Sequence, residues 1–374
     1  MMDKLRFLRL LSAGLCVVLL LASPLAGLSL VHKVRKGDSL WSIARQYKTS
    51  IRAIKRINKL RTNNVYPGQV LRLTPRIAKY NAPNGPYYWQ KPNASRQRHR
   101  NYSERARTSP GLDYRRAQIL LRAFDNEILA NASQKRRKPL KGWRIVLDPG
   151  HGGIDPGAIV SNMAGKKQRV YVVEDEYVYD IALRMYKELR LLGAEVTLTV
   201  ISPNHLIRDN LPAKTTFVHE KNEVYNDERY NRRNSEKVRP RSANLSQRVR
   251  VANRFVKGAR KGRSLFVSLH ADNTPGRPMG PLVIYHRRRG RIDSRSRSFA
   301  RVMRSALHQP SLPAQDRGRN LAVLRNNLAH AEILVEVHNV HHENEAYRIR
   351  YHKNRQHHAK KIVKGILAYA RKKR

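Results

Sequence analysis

The chain has 374 residues, 76 of them Lys or Arg against 27 Asp or Glu, for a formal charge of +49. Such a field favours polyanionic partners and bears on association rather than fold; with 40% hydrophobic residues the chain can still build a sizeable core and is not of the disordered class. The single cysteine, Cys16, excludes a disulfide framework and any Cys-rich zinc site, so a metal here has to be held by His, Asp or Glu.

Residues 1–29 read as an export signal. Lys4, Arg6 and Arg9 form a basic start, Leu10 to Ala22 an apolar stretch, and small residues with Pro24 follow. An uncleaved anchor is the alternative, because the apolar run from Leu10 to Val31 approaches a bilayer span. Cys16 follows Leu15 and lacks the small residue that a lipid-modified cysteine wants before it. Export implies a periplasmic or cell-wall location, and argues against nucleic acid as the partner of the positive charge.

Residues 30–75 form a compact unit read as strand, helix, helix, strand. Gly37-Asp38-Ser39 caps a helix carrying Leu40, Ile43, Ala44 and Tyr47 at helical spacing. Ile51, Ile54 and Ile57 make a second helix, and Pro67-Gly68 turns the chain into a closing strand, Gln69 to Leu73. With Val34, Asn58 and Leu60, this pattern resembles a LysM domain over the whole unit. The resemblance implies binding of N-acetylglucosamine-containing glycan between two loops, with Gly37, Asp38, Ser39, Tyr66 and Pro67 as contacts. Leu40, Ile43, Ala44 and Ile54 are expected to be core only.

Residues 76–139 read as a basic linker rich in Pro, Asn, Gly, Ser and Arg, with a helix at about 112–130. Between residues 75 and 142 there are 16 Lys or Arg and 4 Asp or Glu, a surplus of +12. This basic surface is a candidate contact for anionic wall or lipid polymers. Tyr87, Tyr88 and Trp89 read either as docking residues or as a further wall contact.

Residues 140–374 alternate strands and helices, which implies an α/β fold. Strands are expected at Ile145–Leu147, Ala194–Ile201, Ser264–Leu269, Gly280–Tyr285 and Ile333–Val335. Helices are expected at Glu176–Leu192, Ala243–Val256, Ser296–Leu307 and Asn354–Arg371. The predicted architecture is a mixed, largely parallel sheet flanked by helices. Pro203–Arg241 reads as a polar insertion without periodicity, and its departure from a strand end predicts a loop that limits access to the site.

The first strand breaks into a loop with two Pro and four Gly between Pro149 and Gly157, and His151 lies inside it. His270 and Glu336 fall at two further strand ends, and Glu174 just before a helix. Sites form outside the carboxyl ends of strands in open α/β sheets. Two His and one carboxylate leave an open position on a tetrahedral ion, the pattern of a catalytic Zn2+, while the remaining carboxylate can move a proton.

Val146 to Gly153, Asp155 to Ala158, Glu174, Gly193 to Val196, Arg248, Phe266 to Asp272, Leu321 to Arg325 and Leu334 to Glu336 occur in the order that resembles the zinc-dependent N-acetylmuramoyl-L-alanine amidases of the Amidase_3 family. The resemblance implies that His151, Glu174 and His270 bind zinc and that Glu336 is the catalytic carboxylate. Glu176 is the rival of Glu174. The substrate implied is peptidoglycan, cut between N-acetylmuramic acid and L-alanine, and a protein activator is a further candidate partner. After Glu336 the chain departs from the family with Val337-His338-Asn339-Val340-His341-His342. Those histidines read as a drifted loop, or as groups that alter substrate fit, bind a second ion or carry protons. His205, His219 and His286 have no motif context. The competing readings are a non-catalytic peptidoglycan-binding protein on an amidase scaffold, and a nucleic-acid binder favoured by charge alone.

Overall fold

The computed structural model describes residues 30–34, 38–46, 51–73, 109–132, 137–163, 169–204, 206–208 and 222–372. The export-signal reading for 1–29, most of the linker, Gly37, Tyr47, His205 and His219 lie outside them. Two compact units divide the chain at residue 77.

In the first unit β1 (Leu30–Lys33) pairs antiparallel with β2 (Val70–Leu73), and α1 (Leu40–Gln46) and α2 (Ile51–Asn58) fill the interval. Val34, Leu40, Ile43, Ala44, Ile54, Leu71 and Leu73 form its core. Ser39 and Ser42 cap α1 reciprocally: each backbone N–H donates to the other's hydroxyl, at 2.9 and 3.0 Å. The Asn58 amide donates to Arg72 O and accepts from Arg72 N, both at 2.6 Å, and so ties α2 to the closing strand.

The second unit begins with α3 (Pro110–Ala132), followed by β3 (Arg144–Pro149), β4 (Ile159–Met163), β5 (Arg169–Val173), α4 (Glu174–Leu191), β6 (Glu195–Leu198), β7 (Val200–Ile201) and β8 (Val224–Tyr225). Next come α5 (Leu245–Val256), β9 (Ser264–Asp272), β10 (Leu282–Arg288), β11 (Arg291–Ile292), α6 (Ser294–Leu307) and β12 (Gln315–Arg319). The chain closes with β13 (Ala331–Asn339), α7 (Glu343–Ile349) and α8 (His352–Arg371). The main sheet runs β11-β10-β13-β9-β3-β6, with β12 paired to β10. β6, β3, β9 and β13 are parallel, and β10 is antiparallel to β13. The sheet is mixed and largely parallel, as the sequence predicts.

Both faces are covered, so the inner strands read as unbroken apolar runs. Ile145 and Leu147 join the large core with Ile181 of α4, Phe299 of α6 and Tyr369 of α8. Val146, between them, points to the other face and packs with Ala252 and Val256 of α5. Each such fully buried aliphatic side chain contributes roughly 1.5–3 kcal/mol.

The structure corrects several sequence readings. The hairpin β4–β5, the strand β12 and the helix α7 were not predicted. The helix expected from Glu176 starts at Glu174, because the preceding β5 delivers the chain directly into it. Pro203–Arg241 is not structureless throughout: β8 pairs antiparallel with β7, and 3-10 turns span Glu228–Asn231 and Glu236–Val238. Its order comes from a distant partner. Arg239 is fully buried, donates to Asn222 O at 2.9 Å and pairs with Asp113 of α3 at 2.7 Å.

Candidate metal centre and active site

β3 ends at Pro149, and Gly150 N donates to Leu269 O at 2.8 Å, which keeps the loop alongside β9. A Cβ on Gly150 would lie 2.4–2.7 Å from the ring of His270. Only glycine lets the imidazole lie over the backbone here. His151 itself has φ of 60°, a left-handed conformation that a non-glycine residue adopts only when surroundings enforce it. Those surroundings are visible. Arg248, buried in α5, donates to Pro149 O at 2.7 Å and to His151 O, and it is paired with Asp148 at 3.0 Å. Asp148 in turn accepts from Ser268 Oγ at 2.7 Å and from Thr199.

Glu174 opens α4, whose first turn also carries Asp175 and Glu176 and whose N-terminal dipole favours such carboxylates. Glu174 Oε1 lies 3.2 Å from His151 Nε2 and 3.0 Å from His270 Nδ1, and accepts from Ala271 N at 2.9 Å. Its second oxygen accepts from Ala158 N at 2.9 Å. The two rings stand edge to face, 4.8 Å between centroids. One ligand atom from each of His151, Glu174 and His270 falls within 4.8 Å of the others. Glu176, the rival, turns away to Arg208 at 2.7 Å.

Glu336 is directly beside His270 in the parallel register of β13 and β9. Its Oε2 is shut off from solvent and has no hydrogen-bond partner among the described residues. Burial, then the Glu174 and Asp272 carboxylates, push its pKa well above the usual range. Burial would also raise Glu174, but the hydrogen bonds from His151 and His270 hold it far below. For His151, burial acts downward, yet the hydrogen bonds with Asp155 and Glu174 carry its pKa up to about 10. The carboxylates of Glu174 and Asp155 thus favour positive charge beside His151. Two imidazoles and a carboxylate with this demand fit a divalent ion, which would displace the proton.

Sequence reasoning missed three contributors. Asp155 Oδ2 lies 3.1 Å from His151 Nδ1 and places a negative charge against the ring; it stands inside the quoted motif, where it reads as an ordinary turn residue. Arg277, buried, pairs with Asp272 and lends its positive charge to Glu336. The described ends of the Pro203–Arg241 insertion clasp the turn after His151: Glu223 Oε2 accepts from Gly153 N at 3.0 Å, and Pro240 O from Ile154 N at 3.1 Å. Residues 209–221, which would have to act as the expected lid, lie outside the described residues.

The histidines after Glu336 are largely taken up structurally. His338 is buried against Glu345 at 2.6 Å, and His342 Nε2 lies 2.7 Å from Arg277 O. In the first unit Tyr66 is 68% exposed. Asp38 is held 2.9 Å from His32, and Ser39 is spent on the cap of α1. Trp41, absent from the predicted contacts, is likewise 61% exposed.

Residues 145–368 match the N-acetylmuramoyl-L-alanine amidase family (Amidase_3), and residues 32–74 match the LysM domain. The first match covers more than half of the chain, so the chain belongs to the Amidase_3 family. It is 27% identical over 244 residues to an uncharacterized cell wall amidase of Bacillus anthracis, a match covering 63% of this chain and 37% of that one. It is 55% identical over 40 residues to the probable autolysin SsaALP of Staphylococcus aureus, covering 11% and 15% respectively. The chain therefore spans well under half the length of these relatives. Among solved structures it is similar to the N-acetylmuramoyl-L-alanine amidase AmiC2 of Nostoc punctiforme, at 22% identity and a TM-score of 0.42, over 62% of this chain and 98% of that one. No helix among the described residues is long and apolar enough to cross a membrane.

Proposed function

We propose that this protein is an exported, zinc-dependent N-acetylmuramoyl-L-alanine amidase of the cell wall, held on peptidoglycan glycan by its LysM unit. The observation that carries this reading is the convergence of His151, Glu174 and His270 on one point, with Glu336 beside His270. In this reading residues 1–29 direct export, 30–75 hold glycan through the Asp38–Ser39 and Tyr66–Pro67 loops together with Gly37, 76–139 connect, and 140–374 carry the chemistry.

His151, Glu174 and His270 would hold the ion. A bound zinc would polarise the scissile carbonyl and acidify the attacking water. The remaining work falls to the chain. Asp155 sets a carboxylate 3.1 Å from His151 Nδ1, and the Ala158 and Ala271 N–H groups fix both oxygens of Glu174, so the carboxylate donor is preorganised. Glu336 takes the proton of the attacking water on its partnerless oxygen and passes it to the leaving amine of L-alanine. Its raised proton affinity suits holding a proton between water and amine, and the nearby Arg277 charge opposes that rise.

The test is digestion of purified peptidoglycan followed by mass spectrometry. The reading requires stem peptides with a free L-alanine amine and muramic acid with a free lactyl carboxyl. Glycan fragments, or cross-bridge cleavage with the lactyl amide intact, would refute it.

A further inference from the structure

We propose that the groove between α6 and α8 binds a flexible, linear phosphodiester polymer of the polyol-phosphate type. α6 carries four arginines and α8 six lysines or arginines, and neither has a single acidic residue. The helices lie close together because Gly365 faces Met303 and Ala306; a Cβ there would fall 2.7 Å from Met303 Sδ. Their outer edges leave a groove of about 810 Å³. Arg297 and Arg301 form one rim, Lys364 and Lys372 the other. Arg304, also on the groove, is paired with Asp316 at 2.9 Å, whereas the four rim cations make no ion pair among the described residues. Arg297 Nε is in addition buried without a hydrogen-bond partner.

The fold does not need these charges. Phe299, Met303, Ile362 and Ile366, on the inner faces of the same helices, bury the core. An unneutralised double row of cations costs self-repulsion, which a bound polyanion removes. Four residues of helix separate Arg297 from Arg301, about 6 Å along the axis, a pitch comparable to one repeat of an extended polyol phosphate. Ser294, Ser298 and Ser305 supply hydroxyls to the same groove, suited to a polyol backbone. A rigid duplex is too broad for a cleft between helices packed at roughly 8–10 Å. A bilayer would want large exposed apolar side chains to insert, and of the groove's lining only Ile292, 38% exposed, is one; Val302, Ala306 and Ala368 are small or half-buried.

The groove is also clear of the chemistry. Ser296 Oγ accepts from Glu332 N at 2.9 Å, which places the start of α6 at the start of β13. Glu336 is four residues further along that strand, about 13 Å away. A polymer there would tether the enzyme without entering the cleft.

The experiment uses the full chain, a fluorescent soluble poly(glycerol phosphate) and anisotropy across a salt series, with folding checked by thermal melting. Arg301→Glu with Lys364→Glu should weaken binding at least 10-fold, and flatten the salt dependence by about one to two counterions. The control, Arg250→Glu with Lys257→Glu, changes net charge equally on exposed residues at α5 and should weaken binding less than threefold. Equal losses in the two pairs would overturn the proposal, since net charge alone would then explain retention. It would equally be overturned if the groove pair affected only anionic vesicles or single-stranded DNA and left the polyol phosphate untouched.

Discussion

Two clusters in this molecule have the same composition and opposite character. His151, Glu174 and His270 bring both imidazoles to one carboxylate oxygen, at 3.2 and 3.0 Å, with the histidine side chains 24% and 19% exposed. His338, Glu345 and His358 also combine two histidines with a glutamate. There only His338 meets the carboxylate, while His358 contacts its ring edge-on at 4.4 Å, and both are sealed from solvent. The second oxygen of Glu345 is consumed by Asn339 N and Gly280 N at 3.0 and 3.1 Å. Residue types alone do not make a metal centre. Convergence of free donor atoms on a reachable point does, and the second cluster lacks it: it fastens the end of β13 to α7 and α8.

The contrast can be broken by substitution. His151→Ala or His270→Ala should remove both the ion and hydrolysis, lowering the rate by more than about 10³-fold, since either leaves two of three protein ligands. Elemental analysis and wall digestion read the two effects. Asp113→Ala should cost about 3–5 kcal/mol by stranding buried Arg239. Because Glu223 and Pro240 flank Arg239's contacts and clasp the turn after His151, metal affinity in a chelator competition should fall several-fold as well. His338→Ala should destabilise by about 2–3 kcal/mol through loss of a buried hydrogen bond and its packing, yet leave metal content and affinity at the wild-type level. Metal loss in that variant would erase the distinction between the clusters.

The smallest effect lies far from both. Burial, with help from Asp293, raises Glu332 to about 8 from an ordinary 4.5. The folded state therefore keeps a proton that the unfolded chain releases, so stability falls as pH rises from 4.5 to 8. Glu332→Gln should match the wild type near pH 4.5 and become progressively the more stable of the two up to pH 8.5, as read from denaturant melts. A constant difference across that range would show that Glu332 does not titrate this way.

Much of this was legible in the sequence for reasons the structure makes plain. β3, β9 and β13 stand out because a sheet covered on both faces needs continuous apolar strands. The loop at His151 stands out because Gly150 and Gly157 have no room for a Cβ: at Gly157 it would meet Glu174 Oε2 at 2.6 Å. The LysM unit is legible because its core positions follow helical and strand periods. The ordered part of Pro203–Arg241 was not legible, since its anchor, Arg239, finds Asp113 across 126 residues of chain. No local pattern encodes such a pairing. Asp155 was overlooked because an aspartate between glycines and a proline looks like turn chemistry.

The ion-holding residues and the proton carrier are different side chains, and Glu336→Gln tests that most directly. The amide keeps the shape of the side chain but cannot accept a proton, so the variant should retain one equivalent of metal and lose about 10²–10⁴-fold in hydrolysis. A metal-free Glu336→Gln protein, or a fully active one, would contradict the assignment.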